Sequence, residues 1–179
     1  VTALPAQAAE SSGVTAEDEQ ILTRVFGYEP SESEIDAYLQ RYGAVPSADE
    51  VAAYVAAAES EEAGVTVAPE APFAGRVSVA AADSFSSFFQ SGAWITRDGM
   101  LSLSLMPRAG GIGNEGGTRT WTTVYNTFSG SPNWWNHSHN VTASMSKQYN
   151  CHFRFGMVKT PWNLEPAKIA ENVSTITCN

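Results

Sequence analysis

The run Pro30-Ser31-Glu32-Ser33-Glu34-Ile35-Asp36-Ala37-Tyr38-Leu39 returns sixteen residues later as Pro46-Ser47-Ala48-Asp49-Glu50-Val51-Ala52-Ala53-Tyr54-Val55. Each copy reads Pro-Ser-x-x-Glu, then an aliphatic, then Ala-Tyr and a second aliphatic. That pattern fits little besides a pair of short helices. Ser31 with Glu34, and Ser47 with Glu50, have the spacing of a capping box, in which hydroxyl and carboxylate each satisfy an orphan backbone N–H. Ile35, Tyr38, Leu39 and Tyr42 follow at i, i+3, i+4 and i+7, and Val51, Tyr54, Val55 and Ala58 do the same. One helical face therefore carries each set. Gly43 stands where a left-handed stop is wanted. An earlier helix is predicted over residues 16–26, capped by Thr15, burying Ile21, Leu22, Val25 and Phe26 and stopped by Gly27. Three helices this short are not stable alone in water, so they must pack on each other or on the rest of the chain.

Charge divides the 179 residues in the same place. Residues 1–75 hold Arg24 and Arg41 against fourteen acids, a net −12, whereas residues 76–179 net +3. The acidic half is either a helical appendage kept soluble by its charge or a detachable, shielding pro-segment. Its acidic faces would repel phosphate, which excludes a helix-turn-helix DNA reader, and the scattered basic residues of the second half do not point to nucleic acid as the primary partner. No apolar run approaches the roughly 18 residues of a transmembrane segment. Residues 1–14 read as the remnant of a signal peptide, because Ala6-Gln7-Ala8 has the small-x-small form of a cleavage site, or else as an Ala-rich disordered start. Residues 15–59 form the acidic helical subdomain, residues 60–75 a linker rich in proline and glycine, and residues 76–179 the main domain. Cys151 and Cys178 fit a secreted protein with one disulfide, closing a loop of about 28 residues.

The second half alternates between strand and helix signals, so its expected class is α+β: a small antiparallel sheet with a packed helix and one disulfide. Residues 94–97 and 100–105 flank Asp98-Gly99, a two-residue hairpin signal, with Leu101, Leu103 and Leu105 alternating against Ser102 and Ser104. Trp121, Val124, Tyr125 and Phe128 place a helix over residues 118–128, and a second helical stretch covers residues 141–146. Residues 149–158 read as a strand, with Cys151, Phe153 and Phe155 on one side and His152 and Arg154 on the other; residues 173–178 read as the last strand. The glycine-dense run RAGGIGNEGG lacks both the Lys-Ser ending of a P-loop and a dinucleotide fingerprint, so it is taken as a loop and no cofactor is expected.

Four stretches together resemble a known family: Ala93-Trp94-Ile95-Thr96-Arg97-Asp98-Gly99, Tyr149-Asn150-Cys151-His152, Lys159-Thr160-Pro161-Trp162-Asn163-Leu164-Glu165-Pro166, and the closing Cys178-Asn179. The resemblance is to the bacterial exported proteins grouped as the domain of unknown function 2599 family, and it covers about residues 90–179. It implies a secreted, actinobacterial-type protein and carries over no catalytic residue.

The chemistry-bearing residues cluster in WWNHSHN, residues 134–140. His137 and His139 point to one side of an extended segment, where they could share a metal ion, with His152 as a third ligand from another element. No carboxylate lies near them in sequence, so no metal is assigned. Without a metal, His137, His139 and His152 are the candidate catalytic groups, with Lys147, Lys159 or Glu165 as partners in acid–base chemistry. Bridged cysteine leaves Cys151 without a thiolate beside His152. Trp134, Trp135, Asn136 and Trp162 instead suggest a binding surface, since loop tryptophans anchor interfaces and stack on sugars. Two functions follow. The first is a secreted protein that recognises an extracellular protein or cell-envelope component through this loop. The second is a latent secreted toxin or hydrolase whose histidines are shielded by the acidic segment.

Overall fold

The computed structural model describes residues 13–63, 68–69, 84–109 and 116–178. Helices α1 (Ala16–Phe26), α2 (Glu32–Tyr42) and α3 (Ala48–Glu62) stand where capping and periodicity put them. All three capping boxes form: Thr15 with Asp18, Ser31 with Glu34, and Ser47 with Glu50. Gly27 and Gly43 close α1 and α2 at φ 78° and 79°, the left-handed region that favours glycine. Strand β1 (Ala68–Pro69) follows, then a turn of helix α4 (Phe85–Phe88), and the hairpin β2 (Phe89–Arg97) and β3 (Met100–Pro107). Asp98 and Gly99 both take positive φ, as a tight hairpin turn requires. Helices α5 (Gly116–Phe128), α6 (Pro132–Trp135) and α7 (Val141–Phe155) precede strand β4 (Trp162–Leu164). The sheet runs β1-β2-β3-β4, antiparallel throughout, so the mixed helix-and-sheet class expected from sequence is the class observed.

One sheet face carries Trp94, Leu103, Leu105, Trp162 and Leu164 into a core shared with Val124 and Phe128 of α5 and Met145, Tyr149 and Phe153 of α7. Gly92 is held in that layer by its neighbours: a Cβ there would lie 2.7 Å from the ring tips of both Phe85 and Phe128. A second core joins the two halves of the sequence. Ile21, Leu22, Val25 and Phe26 of α1, Tyr38 of α2, and Val51 and Tyr54 of α3 pack on Cys151 and Phe155 of α7 and on Cys178.

Two expected strands are absent. Residues 149–155 continue α7 instead of forming a strand, and no glycine or proline interrupts the chain from Val141 until Gly156 closes the helix. The apparent period of two arose because α7 is buried on more than one side. Ser144, Met145, Gln148, Tyr149, Cys151, His152, Phe153 and Phe155 are all inside, so the buried arc is broad and includes polar residues, which blurs the apolar stripe that marks a helix. Residues 173–178 form turns instead of a strand, with Ser174 Oγ accepting from the backbone N–H groups of Ile176 and Thr177. The third full strand is Trp162–Leu164, read from sequence as part of a loop; Leu103 and Leu105 pair with its ends. The disulfide Cys151–Cys178 forms as expected, but it ties the chain's last turn to α7 and not one strand to another.

Of the proposed linker, residues 60–62 belong to α3 and residues 68–69 pair with β2, while residues 64–67 and 70–83 lie outside the described residues. So do residues 1–12, where the signal-like start falls, and residues 110–115 of the glycine-dense run. Among the described residues no helix is long and apolar enough to cross a membrane.

The disulfide closes a long loop and its cysteines are buried, so it constrains the unfolded chain strongly. Replacing both cysteines by alanine should cost about 3 kcal/mol, a fall of roughly 6–12 °C in the thermal midpoint of a chain this size. Calorimetry of the double variant checks this; a loss under 2 °C would show that the last turn is dispensable.

Candidate functional site

The proposed contact loop divides between core and surface. Ser131 caps α6 by accepting from Asn133 N–H, Pro132 fills its first turn, and Trp134 turns inward to complete burial against Trp121 and Tyr125. Trp162, in β4, is equally buried and donates its ring N–H to Gly156 O at 2.9 Å. Neither ring can reach a partner. Trp135 is 53% exposed and is held by donating its ring N–H to Ser129 O, and Asn136 beside it is exposed. The surface that survives is therefore Trp135 and Asn136.

His137 and His139 do come together, with ring centroids 5.7 Å apart. His139 Nε2 lies 2.9 Å from Pro166 O, which draws the ring toward the backbone after β4; His137 Nε2 is buried and makes no hydrogen bond to a described residue. His152 does not join them as a metal ligand: among the described residues no three His, Cys, Asp or Glu side chains are placed to hold an ion. Lys147 donates to Ala170 O and Lys159 pairs with Glu62, so both proposed cationic helpers are engaged elsewhere. Glu165 is paired with Lys168 at 2.9 Å.

His152 sits in a different place, on the face of α7 that α3 covers. Its Nε2 is 3.2 Å from Asn163 O, and its Nδ1 is 3.0 Å from the hydroxyl of Tyr54. Burial pushes its pKa down to about 4; the hydrogen bond to Asn163 opposes this and the Arg97 charge adds to it. The ring is thus neutral at pH 7. A carbonyl only accepts, so the proton is on Nε2, and Nδ1 takes the Tyr54 hydroxyl proton as acceptor. The Tyr54 ring stacks on Phe155 with centroids 4.3 Å apart and planes 7° from parallel, and its hydroxyl also lies 3.3 Å from Lys159 O.

Around this contact the two halves meet through opposite charges. Arg154 of α7 is 3.2 Å from Glu50, Lys159 is 2.9 Å from Glu62, and Arg97 at the end of β2 is 3.6 Å from Glu61. All three acids belong to α3. Glu50 is held below the usual carboxylate range, first by the backbone N–H of Ser47 and then by Arg154. From α2, Tyr38 donates to Arg154 O at 2.6 Å and Arg41 donates to Asn150 Oδ1 at 2.7 Å. Sequence reasoning named His152 but missed Tyr54, Arg97 and Arg154. The repeated tyrosine and the charge division were the available signals, but nothing in the sequence says which acid meets which base. A shallow groove of about 460 Å³ lies between α1 and α3 and is lined by no histidine.

The site dictates two stability measurements. As pH falls through 6.5, unfolded His152 takes a proton that the folded ring refuses until about pH 4. The unfolded state then binds more protons, so stability drops across that window, by up to about 3 kcal/mol. Urea titrations at pH 7.0, 5.5 and 4.5 should show a steeper slope in the parent chain than in His152→Gln, where only the carboxylates contribute; parallel slopes would refute a neutral, buried His152. For the loop, Trp134→Ala should cost about 3–5 kcal/mol, while Trp135→Ala should cost within about 1 kcal/mol for its one hydrogen bond. Equal losses in chemical denaturation would contradict the division between the two rings.

The family described as "Protein of unknown function (DUF2599)" matches residues 89–179, and the chain belongs to that family. No curated protein matches, and no solved structure does. The matched residues include Arg97, His152, Arg154, Phe155 and Lys159, whereas α1, α2 and α3 lie outside the match.

Proposed function

We propose that this family member is a secreted recognition protein whose working face is masked in cis by its own acidic helices. The partner is an extracellular protein or a cell-envelope component. It engages the His152-bearing side of α7, with Trp135 and Asn136 as a contact that is exposed at all times. The observation that carries the reading is the row of three ion pairs from one helix, α3, onto Arg97, Arg154 and Lys159 of the family domain. Lys159–Glu62 is exposed and Arg154–Glu50 partly so, and salt screens pairs of this kind, which contribute little stability and suit an interface that opens; Arg97 is the buried member of the row. The buried disulfide favours an oxidising compartment.

A latent hydrolase is the second reading, favoured by the state of His152. With Nε2–H fixed on Asn163 O, Nδ1 is a free base whenever Tyr54 withdraws.

One experiment addresses both. A specific protease site inserted between Gly75 and Arg76 lets the native chain be nicked, after which the helices are held by a bimolecular contact and dilution can release them. Nicked protein should sediment with purified bacterial envelope fragments at least tenfold more than the intact chain, and salt should reduce the difference. Equal sedimentation overturns masking. Lytic or nuclease activity that appears on nicking and disappears with His152→Gln would favour the hydrolase instead.

A further inference from the structure

We propose that α7 is a docking site for an acidic helix bearing the motif Pro-Ser-x-x-Glu-aliphatic-x-Ala-Tyr-aliphatic, that α2 and α3 are two cis copies of this ligand, and that the partner in trans is a protein helix of the same chemistry. The assignment rests on the masking reading and names what the mask imitates.

The repeat is the starting point. Amphipathic helices of any sequence would return aliphatic residues at helical spacing, but they would not need to return a tyrosine whose hydroxyl finds a partner on one common element. Here both do. Tyr38 of the first copy donates to Arg154 O at 2.6 Å, and Tyr54 of the second donates to His152 Nδ1 at 3.0 Å, two residues away on α7. The Tyr54 seat is built for a phenol: Phe155 offers a parallel ring face and His152 an acceptor at its far end. A phenylalanine would leave that buried acceptor without its donor, so the site discriminates by the hydroxyl.

The charges extend the reading along the helix. Counting from Tyr54, acids at −4, +7 and +8 meet Arg154, Arg97 and Lys159. An occupant must therefore be helical across this span, acidic at both ends and aromatic in the middle. The first copy meets only part of the requirement, because Glu34 receives hydrogen bonds from Tyr28 and Ser31 and makes none to α7. The cis fit is also incomplete at its far end: Arg97 Nη1 is buried, makes no hydrogen bond to a described residue, and meets Glu61 only at 3.6 Å. A partner with a better-placed carboxylate there would compete with α3.

The test uses the nicked full chain and a fluorescein-labelled peptide of residues 45–63, followed by anisotropy. The peptide should bind and be displaced by its unlabelled form. Its Tyr54→Ala version should bind at least tenfold more weakly, the Tyr54→Phe version should fall between them, and raising salt from 50 to 500 mM should weaken binding at least fivefold. If the N-terminal fragment leaves and rebinds but the peptide does not bind, or binds equally well without Tyr54, the motif assignment falls and masking stands. If the fragment never leaves, or leaves only with loss of the circular-dichroism signal of the family domain, masking falls and takes this assignment with it. If the intact chain dimerises with concentration and the peptide blocks dimerisation, the occupant is a second copy and not a different protein.

Discussion

The burial of α7 on more than one side is the constraint from which the rest of the structure follows. Nine of the fifteen residues of α7 are buried, in an arc too broad for one neighbour to cover, while Ala143 and Lys147 mark its open side. The sheet takes Met145, Tyr149 and Phe153. The N-terminal helices take Cys151 and Phe155, and the disulfide draws the final turn into the same contact. The acidic helices are thus more than a charged appendage. They supply one wall of a core whose central element belongs to the family domain.

Apolar contact alone would make that wall permanent. What gives it a different character is the polar chemistry set into it: two tyrosine hydroxyls on α7, three ion pairs at its rim and an arginine on Asn150. Interfaces between units of one chain are generally more polar than permanent ones, and here those polar contacts are set around an apolar core. Burial also raises the pKa of Tyr54, so its hydroxyl stays protonated and keeps donating to neutral His152. The central hydrogen bond therefore survives changes in pH that leave the imidazole neutral.

The local rules were legible and the tertiary ones were not. Capping boxes, stop glycines and the Asp98-Gly99 turn are encoded by neighbours in sequence, and all of them form. Where the sequence misled, as at residues 149–155, the cause lay far along the chain: α1, α2 and α3 bury a second side of α7 and widen its buried arc beyond a simple stripe. Strand Trp162–Leu164 was unreadable for a related reason, since all three of its residues are buried and a strand that short shows no alternation. The same limit applied to the site. Nothing local separates Trp134, which fills the core, from Trp135, which faces out; one step along a single helical turn decides it. His152 was visible as a histidine, but its chemistry is set by Tyr54, a residue 98 positions away.

That separation bears on how the family fold is used. The matched region supplies Phe155, His152 and the basic rim, while this chain supplies the phenol and the acids from outside the match. A domain stripped of the helices would expose the Phe155 ring together with three cations and the acceptor nitrogen of His152. Such a surface has an apolar centre and a charged rim, the arrangement that protein recognition sites share. It would also be prone to non-specific association. Covering it in cis keeps the face out of water, and under the masking proposal it would also set a threshold of affinity and charge that a competing helix must cross.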